Sequence, residues 1–425
     1  MNFIEELRWR GMLYDMTPGT EELLRTQKIS GYIGFDPTAP SLTIGNLVQI
    51  MILKIFQKHG HTPIVLMGGA TGRIGDPSGK DKERKLKTEE ELDKNLEHQI
   101  HQMKKLLDFD SGENKAILIN NFDFYKNMNI LDFLRDVGKN LTINYMLSKD
   151  SVKNRMETGL SFTEFSYQLL QAYDFLYLYK NHDCILQMGG SDQWGNITTG
   201  TEFIRRNIPD GKAYAVTTPL LTKSDGKKFG KSEEGNIWLD PKLTTPYKFY
   251  QFFINVDDAM VPVLMRYFSL KTKDEIEAIE SENADNPQEY KKILAEELTR
   301  RIHSDASFNS VMNVSEILFN KKAGADKLQS LTVEELETIE SEIPSFKVSK
   351  QILDNGLNII DLIADRTKIV NSKSDARRAI KGNALSVNKI KISDFEYMLT
   401  KDILIHDRFL MVENGKKNKF IIDFN

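Results

Sequence analysis

Three stretches of this sequence carry residues that could do chemistry. The first is GYIGFDPTAPSLTIGNLVQI, residues 31–50, which joins an apolar strand at Tyr32 and Ile33 to a turn on Asp36-Pro37 and Pro40. A helix opened by Thr43-Ile44-Gly45-Asn46 follows. A strand that turns into a helix start leaves backbone N–H groups and the positive dipole end facing outward, which suits an anion. Gly45 removes the side chain that would hold a flat ring off the backbone, and Thr43 and Asn46 add uncharged donors. The stretch reads as a mononucleotide site, with phosphate at the helix start and the base over the glycine. Taken alone, such a stretch is more commonly an ordinary strand-to-helix turn capped by Thr or Asn.

The second stretch, FTEFSYQLLQAYDFLYLY at 162–179, puts Tyr167, Gln171 and Asp174 at i, i+4 and i+7. That spacing is one helix face, and one Tyr, one Gln and one Asp together suit a small polar ligand. After a strand at Cys184–Met188, GGSDQWGN supplies Gly190, Asp192 and Gln193 in a C-terminal loop, where a carboxylate can hold ribose hydroxyls. The third stretch, TKSDGKKFGKSEEGNIW at 222–238, sets Lys228 and Lys231 on a glycine-rich loop able to close over a departing pyrophosphate. It misses the P-loop pattern by one residue. GGATGRIGDPSGKDKERK, from Gly68, reads as a loop over the site with Lys80 and Arg84 in reach of phosphate, or as a plain basic surface loop.

These motifs resemble class I aminoacyl-tRNA synthetases. GFDPTAPSLTIGN resembles their first signature box, with Thr43 and Asn46 standing where the family has histidines, and Lys228-Phe229-Gly230-Lys231-Ser232 resembles the second. GFDPT is similar to the tyrosyl branch and TIGN to the tryptophanyl one. The resemblance implies adenylation of L-tyrosine by ATP with Mg2+, then transfer to tRNA, with no tightly bound cofactor. It places Thr38 and Thr43 at the γ-phosphate and Lys80, Arg84, Lys228 and Lys231 round the leaving group. Gly45 and Asn46, with Gly190, Asp192, Gln193 and Lys231, would hold ATP. Asp76, Tyr167 and Gln171 would hold the substrate ammonium, Tyr32 and Asp174 the phenol hydroxyl, with Asp36 and Gln187 in the same amino-acid site. The resemblance also implies a homodimer, through residues 130–147 and Phe162, although plain core packing would use the same apolar residues. A tryptophanyl enzyme, a small-metabolite nucleotidylyltransferase and a non-catalytic RNA-binding relative are the competing readings.

The elements needed to position these residues follow from period and composition. Strand, helix and strand between Tyr32 and Met67 make a βαβ unit and imply a parallel sheet. The expected class is α/β: a Rossmann-like catalytic domain over 1–243, an α-helical domain over 244–325, a linker over 326–355 with one helix, and a small α+β S4-like RNA-binding domain over 356–425. At 425 residues the chain exceeds one ordinary core. Its apolar runs fall short of the roughly 20 residues that span a bilayer, so a cytoplasmic protein is expected. A single cysteine makes no internal disulfide, and the seven histidines form no ligand pattern. Net charge is −4, yet 366–391 holds eight basic residues against one acidic. Within it SKSDARRAIKGNALSVN resembles the S4 module, and Lys373, Arg377, Arg378 and Lys381 are its candidate phosphate contacts.

Overall fold

The computed structural model describes residues 1–78, 86–156, 159–223, 226–232, 235–415 and 418–425. They divide into one unit of residues 1–244 with 251–302 and another of 245–250 with 303–425. The first is built on a six-stranded sheet of β1 (Asp15–Met16), β2 (Ser30–Phe35), β3 (Thr62–Met67), β4 (Ile117–Asn120), β5 (Cys184–Gly190) and β6 (Tyr214–Thr218), ordered β1-β6-β5-β2-β3-β4. Strands β2 to β6 pair in parallel, and β1 closes the edge antiparallel to β6. Residues 63–67 of β3 are all buried, as expected of a parallel strand covered on both faces.

Chain order runs outward through β2, β3 and β4 on one side of the sheet, and through β5 and β6 on the other. The direction reverses between β2 and β5. In such sheets the crevice beyond the strand ends at this reversal is where ligands bind. Tyr32 on β2 lies in register with Gln187 on β5, so the two side chains stand side by side at its floor.

Helix Ile44–Lys58 follows β2 and buries Ile44, Leu47, Val48, Ile50 to Leu53, Ile55 and Phe56. Apolar on most of its circumference, it is a core helix rather than a surface one. Helix Phe3–Arg10 is held by charge as well as packing. Arg10 is buried, pairs with Glu6, and donates through Nη1 to Ser269 O at 2.9 Å, capping carbonyls at the end of helix Val261–Phe268.

The second unit carries a five-stranded sheet in the order Ile390–Lys391, Leu385–Val387, Phe409–Asn414, Asn418–Phe424 and Ser345–Val348, the last pair parallel. Residues 326–355, read from sequence as a linker with one helix, include most of helix Ala325–Gln329, all of Val333–Glu342 and the strand Ser345–Val348. High charge hid their periodicity, although Thr332 and Glu335 form a full capping box. Lys389 and Lys419 each donate to Ile317 O at the end of helix Asp305–Phe319, where cations suit the negative dipole end. Among the described residues, no helix is long and apolar enough to cross a membrane.

Candidate active site

A cavity of about 460 Å³ opens where β2 and β5 end. Its wall includes Tyr32, Asp36, Thr38, Thr43, Gly45 and Asn46 from the first motif, and Tyr167, Gln171 and Asp174 from helix Phe162–His182. Asp76, Gln187, Gly190, Asp192, Gln193 and Lys228 complete the set of sequence candidates found there. Tyr32 Oη and Gln187 Oε1 are buried with no hydrogen-bond partner among the described residues. Leaving such atoms unmet costs about 1–3 kcal/mol each, so they mark where a polar ligand group fits.

A chain of hydrogen bonds runs along the cavity wall. Tyr167 Oη donates to Asp36 Oδ2 at 2.8 Å, and Thr71 Oγ1 donates to Asp36 Oδ1 at 2.6 Å. Asn121 Nδ2 donates to Thr71 Oγ1 at 3.0 Å and to Asp174 Oδ2 at 2.9 Å. Tyr125 Oη donates to Asp174 Oδ1 at 2.7 Å. Burial pushes the Asp174 carboxyl up to about 7, although the hydrogen bonds from Tyr125 and Asn121 pull the other way. Gly68 is required beside this chain, because a Cβ there would overlap both Asp36 Oδ1 and Thr71 Oγ1.

A second cluster forms around Asp76. Gln193 Nε2 donates to Asp76 Oδ2 at 2.6 Å, and the Ser78 N–H donates to Oδ1 at 2.9 Å. Asn196 Nδ2 reaches Ser78 Oγ at 3.1 Å and Gln193 Oε1 at 3.2 Å. Gln193, read as an ATP contact, and Asp76, read as an ammonium contact, are thus bonded to each other.

At the helix start, Thr43 and Asn46 face each other in a capping box. Thr43 N–H and Thr43 Oγ1 each donate to Asn46 Oδ1 at 2.9 Å, and Asn46 N–H returns to Thr43 Oγ1 at 3.4 Å. The Thr43 proton is therefore committed to Asn46. With its amide oxygen turned to Thr43, Asn46 keeps both N–H groups of Nδ2 as donors. The chain after the lysine loop lies against this turn: Ile44 N–H donates to Ile237 O at 3.2 Å, and Leu239 N–H to Leu42 O at 2.8 Å. Gly230, at φ +88°, backs onto Ile44 and the Gly45 nitrogen, and its carbonyl accepts from Ile237 N–H at 2.9 Å. Lys231 sits on the backbone ladder Lys231–Ser232 with Gly235–Asn236. Lys80 and Arg84 lie outside the described residues. Among the described residues, no group of three or more His, Cys, Asp and Glu could hold a metal ion.

In the second unit, helix Lys373–Lys381 begins where Ser372 accepts from Asp375 N–H. Lys373 is engaged by Asp361 at 2.6 Å and Asp365 at 3.0 Å, and Arg378 pairs with Asp375. Arg377 and Lys381, one turn apart, are both exposed.

Sequence reasoning missed Thr71, Asn121, Tyr125, Asn196 and Gln49. Gln49 lies one turn beyond Gly45, donates to Thr218 Oγ1 at 3.1 Å and keeps Oε1 without a partner among the described residues. Its place one helical turn from Gly45 was the available signal.

Comparison with known proteins bears on this arrangement. Residues 24–320 match the family model described as tRNA synthetases class I (W and Y), and residues 335–422 match the tyrosine–tRNA ligase SYY-like C-terminal domain. The tyrosine–tRNA ligase of Cytophaga hutchinsonii is 53% identical over 428 residues, covering 100% of both chains. That of Bacteroides fragilis is 49% identical, covering 99% of each. A C-terminally truncated mitochondrial tyrosyl-tRNA synthetase from Aspergillus nidulans superposes with a TM-score of 0.67 at 32% identity, covering 75% of this chain and 94% of that one. A tryptophanyl-tRNA synthetase from Plasmodium falciparum, 14% identical with a TM-score of 0.52, shares the fold.

Proposed function

Because the chain belongs to the class I tRNA synthetases of the tryptophan and tyrosine group and acts as a tyrosine–tRNA ligase, we propose that the cavity between β2 and β5 is where L-tyrosine is activated. The enzyme uses ATP. One oxygen of the tyrosine carboxylate attacks the α-phosphorus, the bond from that phosphorus to the bridging oxygen breaks, and pyrophosphate leaves with the electron pair. The terminal ribose hydroxyl of tRNA then attacks the tyrosyl carbonyl, and AMP departs. The substrate brings its own nucleophile, so the protein's part is to position it and to put positive charge where pyrophosphate forms.

The orphaned Tyr32 hydroxyl beside the Asp174 carboxylate is the observation that carries this reading. The phenol of tyrosine can accept from the first and donate to the second. Indole offers one donor and no acceptor. Asp76, Tyr167 and Gln171 are assigned to the ammonium, with Asp36 and Gln187 supporting the same pocket. Gly45, Asn46, Gly190, Asp192 and Gln193 are assigned to adenosine and its ribose. Thr38, Thr43, Lys228 and Lys231 are assigned to the phosphates, joined by Lys80 and Arg84; Thr43 would turn its proton from Asn46 Oδ1 to a phosphate oxygen. Mg2+ would arrive on the phosphates themselves, the usual way this ion meets an ATP site.

The second unit would dock tRNA through Lys373, Arg377, Arg378 and Lys381. A homodimer is supported by exposed apolar side chains at Ile130, Leu131, Leu134, Ile143 and Phe162, the last 76% exposed. We assign the protein to the cytoplasm. The test of the cavity is exchange of labelled pyrophosphate into ATP without tRNA, offering tyrosine, tryptophan and phenylalanine in turn. Exchange should be far faster with tyrosine than with tryptophan or phenylalanine and be lost in Asp174→Asn. Undiminished tyrosine exchange in that variant would move the amino-acid site elsewhere.

A further inference from the structure

Tyr125 ends the short helix Phe122–Tyr125 that follows β4, and its ring packs near Tyr173, with centroids 5.6 Å apart, and Phe133, at 6.4 Å. Those ring contacts would serve a phenylalanine equally well. The hydroxyl needs a separate reason. It lies 2.7 Å from Asp174 Oδ1 and 2.9 Å from Leu170 O, and with one proton it can serve only one of them fully. A carboxylate is the stronger acceptor. Asp174 Oδ1 has two lone pairs, so it can take Tyr125 and one further donor, while Oδ2 is held by Asn121.

We propose that Tyr125 is a positioning residue for amino-acid selection, its hydroxyl holding the Asp174 carboxylate as an acceptor for the phenol hydroxyl of the substrate. The inference rests on the tyrosine reading of the cavity. Asp174 is locked at both oxygens by groups from outside its own helix, Asn121 and Tyr125, which fixes its rotamer before substrate arrives. The arrangement turns a flexible side chain into a rigid acceptor.

The titratable groups around Asp174 are Tyr32 on β2, Asp36 in the turn after it, Tyr125, and Tyr167 and Tyr173 of its own helix, with Cys184 on β5 behind Tyr32. Burial raises all four phenols and the thiol, so they stay neutral near pH 7. That leaves the two carboxyls. Asp174 is already raised to about 7 with the Tyr125 bond in place. Without that bond it takes up its proton at higher pH, and a protonated carboxyl is a poor acceptor for a phenol.

The test is Tyr125→Phe, which keeps the ring and removes the hydroxyl. Its melting temperature reports that the fold survives. Pyrophosphate exchange is measured from pH 5.5 to 9 with tyrosine and with phenylalanine. In the variant, kcat/KM for tyrosine should fall about tenfold near neutral pH, the order expected for one hydrogen bond to a charged group. Its acid limb should move up by about one pH unit. Values above pH 8.5 should approach the parent enzyme, and kcat/KM for phenylalanine should not move. Tyrosine kinetics unchanged at every pH, with an unshifted acid limb, would overturn the proposal and leave Tyr125 a packing residue. Asp174→Asn separates that failure from a wrong pocket. That variant should lose tyrosine exchange; should it instead keep exchange with the same acid limb, another group such as Asp36 titrates, and the pocket reading falls together with the role of Tyr125.

Discussion

Thr43 does two jobs that a substitution can pull apart. Its hydroxyl closes the capping box of helix Ile44–Lys58, and it lines the cavity where phosphate is proposed to sit. Thr43→Ala should cost about 0.5–2 kcal/mol of stability through the lost cap. It should also slow adenylation in single-turnover experiments, because Asn46 loses the partner that orients its amide, while tyrosine binding by titration stays unchanged. Equal losses in binding and rate would argue against a transition-state role. Tyr32→Phe is the complementary case. It should lower kcat/KM for tyrosine roughly tenfold and leave phenylalanine untouched, as removal of one neutral hydrogen bond implies; an equal drop for both substrates would mean the ring, not the hydroxyl, is read. At this scale much was legible: Tyr167, Gln171 and Asp174 share a helical period, and all three reach the cavity. Asn121 and Tyr125 were not. They lie in and beside the helix Phe122–Tyr125 after β4, too short to show a period, and only the fold brings them to Asp174.

Buried ion pairs join the apolar contacts that hold the elements in place. Arg155 and Glu164 meet through two bonds of 3.0 and 2.8 Å at 2% and 1% side-chain exposure, and Arg155 also reaches Gly159 O at 3.0 Å. This clamp sits at the first turn of helix Phe162–His182. Glu164→Gln should destabilise by about 3–5 kcal/mol in denaturant melts, since it removes the charge that balances a buried guanidinium, whereas replacing both partners by apolar residues should cost much less. Equal costs for single and double changes would mean the clamp is not a unit. Glu6 offers a pH test. Burial pushes its carboxyl up, but the His59 hydrogen bond and the Arg10 charge outweigh that and hold it at about 2. A lowered value adds stability above the unfolded-state range near 4.5, and that stability is lost as pH falls toward 2. The stability gap between the parent protein and Glu6→Gln should therefore narrow across that window; a constant gap would remove Glu6 from acid unfolding. Strands β2 to β5 and the longer helices between them were readable from period and glycine punctuation. The pairing of Ile237–Leu239 with Leu42–Ile44 was not, because nothing local marks a partner almost 200 residues away.

Across the whole molecule the two units predict separable defects. Arg377→Ala combined with Lys381→Ala should leave pyrophosphate exchange intact, raise KM for tRNA, and make the salt dependence of tRNA binding shallower by about 1–2 in log–log slope. An unaltered slope would take these residues off the RNA. Phe162→Asp should shift sedimentation toward monomer, and an unchanged profile would remove that surface from the interface. The basic stretch was legible as charge, but its internal pairing of Lys373 and Arg378 with acids was not, since the sequence does not tell which charges neutralise one another. The register of Tyr32 against Gln187 also has a consequence in time. During synthesis β2 leaves the ribosome roughly 150 residues before its partner β5, about 8–30 s at about 5–20 residues per second. Throughout that interval one edge of the future central strand is open to other chains. Ribosome-stalled chains ending near residue 180 should be cut by protease within β2, and chains long enough to release β6 should resist. The same register that assembles the pocket thus makes β2 the segment of a growing chain most in need of shelter.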